Sequence, residues 1–199
     1  ARGRNDGYGA GHNTVLDKAA GDYHLILNPD VELPENALVQ FIRNLTDHPE
    51  VALLAPRGAN EIGEEEHLAK RYPSVLILTL RALGSQTLKR LFAKRLAAYE
   101  LQDLPFEGGF QDVPLLSGCC MIARSDALRD VGGFNERFFM YFEDYDLCMR
   151  LGSKGRVVRD PSVRIVHHGG GAARKGFRHI IWFMSGGIRF FQIWGRRWV

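Results

Sequence analysis

Apolar positions along the chain switch between strand-like and helix-like spacing in a regular order. Residues 23–27, YHLIL, form a short β-rich run that stops at Asn28-Pro29-Asp30. Residues 33–48 then carry Leu38, Phe41, Ile42 and Leu45 at helical spacing, with Pro34 suited to the first turn. Residues 51–54 predict an apolar strand that Pro56 ends. Strand, helix and strand in this order are the alternation of an α/β fold. Over residues 58–112 the pattern changes. Glu64, Glu65 and Glu66 cluster there, and residues 76–99 predict one long helix carrying Arg81, Lys89, Arg90, Lys94 and Arg95, so the region reads as a solvated helical insertion. The strand pattern resumes at 113–123, VPLLSGCCMIA, an apolar run of the buried type followed by a short helix. Residues 156–158 and 163–166 predict two further strands around an Asp160-Pro161 turn.

Composition changes this picture little. A chain of 199 residues, 45% hydrophobic and 25% charged, can bury one domain core. Its net charge of +3 is too small to indicate a nucleic-acid binder, and no aromatic-basic RNA-binding motif is present, so no nucleic-acid partner is expected. The charge distribution says more. From Arg174 onward the chain carries Arg174, Lys175, Arg178, Arg189, Arg196 and Arg197 with no Asp or Glu. Interleaved with Ile180, Trp182, Phe190 and Trp194, these suit an amphipathic helix lying in a membrane interface; a core or dimer helix is the alternative. Gly186 and Gly187 weaken any such helix by roughly 1 kcal/mol each. Cys119, Cys120 and Cys148 are odd in number and lack metal-ligand spacing, and read as buried thiols of a reducing compartment. No apolar run reaches the ~18 residues that span a bilayer, and the first residues carry no signal pattern. A cytoplasmic location is expected, with peripheral attachment at the inner face of the plasma membrane left open.

Candidate chemistry concentrates in residues 131–150, VGGFNERFFMYFEDYDLCMR, where Glu143, Asp144 and Asp146 follow an aromatic cluster. Carboxylates beside apolar surface are costly unless a partner, a metal or a reaction uses them, which makes this the place to seek a general base. Two structural readings compete: Asp144 as a helix cap, and Asp146 with Arg150 as an i,i+4 ion pair. Residues 5–13, NDGYGAGHN, are a Gly-rich loop with no strand before it, leading into a short helix at 14–20; the glycines permit close approach to a phosphate, or simply mark a loop. Asp30 stands at a strand end, where it could hold a hard divalent cation or belong to a turn. Ser117 and Gly118 imply a close approach to the backbone. His167 ends the last strand before a run of glycines, as a ligand or as an ordinary packed imidazole.

The segment GGFNERFFMYFEDYDLCMR resembles the Phe-Glu-Asp segment of inverting family 2 glycosyltransferases, especially the bacterial rhamnosyltransferase-like group, with Asn135 where the family usually has Asp. NDGYGAGHN, LNPDVEL and VHHGG are similar to three further motifs of that family, in the same order. The resemblance implies a GT-A (nucleotide-diphospho-sugar transferase, Rossmann-like) α/β fold over residues 1–173, lacking its opening strands and helices before Ala1, followed by the basic-aromatic helix 174–199. It implies that Asp144 is the catalytic base and that Glu143 shapes the acceptor site. Asn5, Gly7, Gly9, Asn13, Asn28 and Gly118 would lie in the nucleotide-sugar and acceptor pocket. A divalent cation, Mg²⁺ or Mn²⁺, would be held by Asp30 and His167, with Asn28 replacing a charged ligand. The glycines after His167 would offer N–H groups to phosphate, and Ala172 and Ala173 replace the family's serine. The implied activity moves a sugar from a nucleotide-diphosphate donor such as dTDP-rhamnose to a saccharide or lipid-linked acceptor, with inversion, in cell-wall or surface polysaccharide synthesis. A non-catalytic nucleotide-sugar binding remnant and a metal-dependent phosphoryl hydrolase remain the alternatives.

Overall fold

The computed structural model describes residues 5–16, 18–169 and 176–199. Expectations resting on Gly170, Gly171, Ala172, Ala173, Arg174 and Lys175 lie outside the described residues. In chain order the elements are α1 (Tyr8–Leu16), β1 (Tyr23–Leu27), β2 (Val31–Glu32), α2 (Ala37–Asp47), β3 (Val51–Ala59), β4 (Glu65–Glu66) and β5 (Ala69–Lys70). Then follow α3 (Val75–Leu83), α4 (Gln86–Leu91), α5 (Ala93–Tyr99), β6 (Gln111–Asp112), β7 (Leu115–Leu116) and β8 (Cys120–Arg124). The last are α6 (Ser125–Asp130), α7 (Glu143–Leu151), β9 (Arg156–His167) and α8 (Phe177–Trp194).

A mixed sheet in the order β1-β8-β3-β9-β2 forms the middle layer, with β3 and β9 parallel and β8 antiparallel to both β1 and β3. Strand side chains alternate between its faces. On one face Leu54, Ile122, Val158 and Ile165 pack against Phe41 and Leu45 of α2. On the other, Leu53, Met121, Ala123 and Val157 pack with Leu147 and Leu151 of α7 and Phe190 of α8. A strand covered on both sides reads as continuous apolar sequence, as β3 does.

Several expected boundaries are corrected. The Gly-rich segment is not a loop followed by a helix at 14–20: the helix is α1 itself, Tyr8–Leu16, containing Gly9 and Gly11. Helix α2 buries Ala37, Phe41 and Leu45, whereas Leu38 and Ile42 are each 49% exposed, so its buried stripe runs at four-residue spacing. Pro56 does not end β3. The strand continues past it through a register irregularity beside Asp160, where the missing N–H is tolerated. The Asp160-Pro161 step likewise lies inside the continuous strand β9; Asp160 is buried, accepting bonds from Asn44 and from Ser162. The long helix expected over 76–99 is three helices. Gly84 at φ 65° closes α3, and Ser85 caps α4 through the Leu88 N–H. The apolar run 113–123 is broken into β7 and β8 at Ser117-Gly118.

Helix α8 is apolar on two sides. Gly186, Gly187, Phe190 and Phe191 face the body, while Phe177, Ile181, Met184 and Ile188 face outward. The two glycines weaken the helix but let it approach closely: a Cβ on Gly186 would stand 2.8 Å from the Tyr141 carbonyl oxygen. Among the described residues no helix is long and apolar enough to cross a membrane.

Candidate active site

Helix α7 delivers Asp144 to the β7–β8 turn from a strained start. Tyr141 and Phe142, immediately before Glu143, both sit at φ 69°, a region that non-glycine residues rarely occupy. The strain is held by neighbours: the Tyr141 hydroxyl is 2.8 Å from His179 Nδ1 of α8, and Phe142 is 3% exposed amid Phe183, Tyr145 and Phe190. Asp144 does not cap the helix. Its Oδ1 accepts from the Tyr145 N–H at 2.8 Å and its Oδ2 from the Gly118 N–H at 2.9 Å. The close approach implied at Gly118 is made by Asp144, whose Cβ lies 3.2 Å from where a Gly118 Cβ would stand. The Gly118 carbonyl in turn accepts from the Tyr8 hydroxyl at 2.8 Å.

Glu143 and Asp144 are adjacent acids in different environments. Burial raises the Glu143 carboxyl well above its ordinary 4.5, and the neighbouring Asp144 charge raises it further. Its Oε2 is buried without a hydrogen-bond partner. Burial also raises Asp144, but the N–H groups of Gly118 and Tyr145 oppose this by stabilising its ionised form. Both carboxyls thus sit above their ordinary range, and the bonds from the Gly118 and Tyr145 N–H groups fall to Asp144. A carboxyl raised in the folded state holds a proton that the unfolded chain has already lost, so stability falls as pH rises from 4.5 toward the folded value. Glu143→Gln, which cannot ionise, is expected to remove that decline. Urea midpoints at about pH 5 and about pH 8 check it, with the wild type losing more stability between them than the variant.

Asp146 and Arg150 form the ion pair that their spacing suggests, Oδ2 to Nε at 2.8 Å. Arg150 also donates to the Val131 and Gly133 carbonyls, and the Trp194 Nε1–H donates to Asp146 Oδ1 at 3.0 Å. Asp146 is thus a brace between α7 and α8.

Asp144 lines a pocket of about 460 Å³ together with Glu66, Lys70, Arg81, Tyr99 and Phe183. The region 58–112, from which the sequence offered no site residue, supplies much of this wall. Lys70 and Arg81 both reach Glu100, at 3.6 and 3.2 Å, and burial pushes the Lys70 ammonium down to about 8. The Tyr99 and Tyr145 hydroxyls are 2.9 Å apart.

The structure also brings Asp30 and His167 together. Strand β2 pairs with β9 so that Val31 faces His167, leaving Asp30 Oδ1 3.6 Å from His167 Nε2. Glu66, read from sequence as one of a solvated acid run, accepts from His167 Nδ1 at 2.8 Å. With the imidazole neutral, that bond takes the Nδ1 proton and leaves the Nε2 lone pair on the side of Asp30 Oδ1, which is buried without a hydrogen-bond partner. Two acceptors facing each other suit a cation between them. A Cβ on Gly169 would stand 2.7 Å from Nε2 and fill this space. Among the described residues no group of three or more His, Cys, Asp or Glu gathers in metal-binding geometry, and the two that face this space are Asp30 and His167.

The N-terminal candidates have packing partners. Asn13 spends its amide on Phe134, donating to its carbonyl and accepting from its N–H, both at 2.8 Å. A Cβ on Gly9 would stand 2.6 Å from the Phe134 Cβ, and one on Gly7 would meet the Phe139 carbonyl. Asn5 Oδ1 accepts from the Gly7 N–H at 3.1 Å. The Asn28 N–H donates to the Cys119 carbonyl at 2.8 Å, fixing the turn that carries Asp30.

Comparison with known proteins agrees with this architecture. The model of the family described as glycosyl transferase family 2 matches residues 1–132. The chain is 32% identical over 179 residues to N-acetylglucosaminyl-diphospho-decaprenol L-rhamnosyltransferase of Mycobacterium tuberculosis, covering 83% of this chain and 57% of that protein. It is 25% identical over 174 residues to rhamnosyltransferase WbbL of Escherichia coli K12, covering 81% of this chain and 61% of that one. The chain thus spans about 60% of the length of these relatives. In structure it resembles GalNAc-T7, solved with UDP, GalNAc and Mn²⁺, with a TM-score of 0.61 at 12% identity, over 97% of this chain and 36% of that one. The fold is that of the GT-A glycosyltransferases.

Proposed function

We propose, from the premise that this chain belongs to glycosyl transferase family 2, that it transfers a sugar from a nucleotide-diphosphate donor to a saccharide acceptor with inversion. The observation that carries this reading is the Asp144 carboxylate, which faces a pocket and is oriented there by bonds from the Gly118 and Tyr145 N–H groups. Asp144 takes the proton of the acceptor hydroxyl as the acceptor oxygen bonds to the anomeric carbon and the bond from that carbon to the diphosphate oxygen breaks. Attack from the face opposite the leaving group inverts the anomeric centre. Glu143, protonated, adds no second charge beside the base. The likeness to rhamnosyltransferases supports a deoxyhexose donor such as dTDP-rhamnose, and the diphospho-decaprenol in one relative's name supports a lipid-linked acceptor handled at a membrane surface on the cytoplasmic side. In this reading Asn5, Gly7, Gly9 and Asn13 shape the donor side through the packing of α1, and Gly118 positions the base.

Asp30 and His167 would hold a divalent cation, Mg²⁺ or Mn²⁺, whose chemistry is to neutralise charge on the leaving diphosphate. Glu66 orients His167 for this task. Glu66→Ala is expected to weaken Mn²⁺ affinity by about 10–100-fold, whereas Glu66→Gln, which keeps an acceptor, retains most of it. Calorimetric Mn²⁺ titration decides this without an activity assay, and unchanged affinity in Glu66→Ala would remove Glu66 from the role. Transfer is expected to stop in excess chelator; full activity there would take Asp30 and His167 out of metal binding.

A further inference from the structure

Helices α3 and α8 lie side by side and leave between them an open groove of about 590 Å³. Its walls include Leu78, Ile180, Phe183, Met184, Ile188 and Trp198. A concave apolar space between two helices is a place that can hold an apolar ligand. The lining offers little to a polar ligand. Thr79 donates its hydroxyl to the Val75 carbonyl at 2.8 Å, and Arg196 is the one charged side chain among the lining residues. The groove is also built deliberately. The Val75 N–H donates to the Arg197 carbonyl at 2.7 Å, and the Tyr72 hydroxyl donates to the Gly195 carbonyl at 2.7 Å, which ties the residues after α8 along the start of α3.

Two observations identify an occupant. First, Phe183 belongs both to this groove and to the pocket that holds Asp144, so the two spaces meet at one ring. A molecule whose hydroxyl lies at Asp144 and whose remainder is apolar would pass Phe183 into the groove. Second, Arg196 lines the groove, and its guanidinium suits an anionic group attached to such a chain.

We infer that the α3–α8 groove binds the hydrocarbon chain of an acceptor in which the saccharide is joined to that chain through phosphate. The inference rests on the transferase reading and deepens it by assigning the apolar part of the acceptor to a named place. Arg196 meets the phosphate link, and the exposed Phe177 and Ile181 of α8 add apolar surface beside the groove residues Met184 and Ile188.

The test pairs a transfer assay with a binding assay on the full chain. Acceptors sharing one saccharide diphosphate but bearing a methyl or a decyl chain are compared, and the decyl compound is expected to show a KM lower by roughly tenfold or more, because burial of each methylene favours binding. Met184→Glu and Ile188→Glu alter side chains that are 54% and 55% exposed, so the fold should survive. Both variants are expected to lose the decyl advantage while keeping the wild-type KM and kcat for the methyl acceptor. Decyl diphosphate alone, titrated by calorimetry, is expected to bind the wild type and to bind each variant at least tenfold more weakly. If transfer occurs with no dependence on chain length, the groove proposal is overturned and the transferase reading stands. If no acceptor is glycosylated but decyl diphosphate binds and the variants weaken it, the groove stands and the transferase reading falls. If sedimentation shows a dimer that Ile188→Glu dissociates, and decyl diphosphate does not bind, the groove is an interface between copies and the proposal is overturned.

Discussion

Asp144→Asn is expected to lower kcat for sugar transfer by about 10²–10⁴-fold, the range that a positioned general base contributes. The amide keeps the size of the carboxylate, and its oxygen can still accept from the Gly118 N–H, so the close contact of α7 with the β7–β8 turn survives. It cannot take a proton. The loss should therefore appear in kcat with little change in the KM for the donor, and thermal unfolding should stay near the wild type. Loss of fold together with activity would make Asp144 structural, and retained turnover would pass the proton to another group.

Asp146→Ala is expected to cost about 3–5 kcal/mol of stability, the range for breaking a buried ion pair by removing one partner. Asp146 is 1% exposed and carries two bonds, from Arg150 Nε and from Trp194 Nε1. Its loss leaves a cation facing an empty acceptor position and frees the end of α8. Because α8 also braces the strained Tyr141-Phe142 step through Gly186 and His179, the damage should reach Glu143 and Asp144. Asp146→Asn can still accept from Trp194 and is expected to lose less. Urea denaturation of the two variants beside the wild type measures the difference, and equal stability of all three would contradict the brace.

The position of α8 changes how membrane attachment can be tested. Deleting residues 177–199 would remove Phe190, which is 0% exposed in the core, as well as the outward stripe, so such a deletion cannot separate packing from lipid contact. Charge substitutions on the outward face can.

What the sequence displayed and what it hid follow from the range of the forces involved. Strand β1 and the ion pair of Asp146 with Arg150 were legible because both depend on residues a few positions apart. Boundaries failed where a distant residue decides them. Pro56 and Pro161 lie inside strands because β3 and β9, far apart in sequence, support each other, with Asn44 and Ser162 holding Asp160. The break between α3 and α4 rests on Gly84 at φ 65° and the Ser85 cap, a local signal submerged in an otherwise helical pattern. Within the site, Asp144 stood out through its motif, but its bond from the Gly118 N–H and the bond from Tyr8 to the Gly118 carbonyl cross 26 and 110 positions and have no signature of their own. Glu66 was hidden differently. In a run of three acids it reads as solvated surface, and only its pairing with Gly58 of β3 turns it toward His167. Gly7 and Gly9 were read as allowing close approach to a phosphate or as marking a loop; in the fold the segment of Phe134 and Phe139 lies against them.

The central claim, that Asp144 drives sugar transfer at this pocket, is tested most directly by incubating the full chain with a nucleotide-diphosphate sugar, a saccharide acceptor and Mn²⁺, and reading products by NMR. The account predicts a glycosidic product with the anomeric configuration opposite to that of the donor, formed by the wild type and lost in Asp144→Asn. Free sugar or cleaved diphosphate without a glycosidic bond, a product of retained configuration, or wild-type turnover in Asp144→Asn would contradict it.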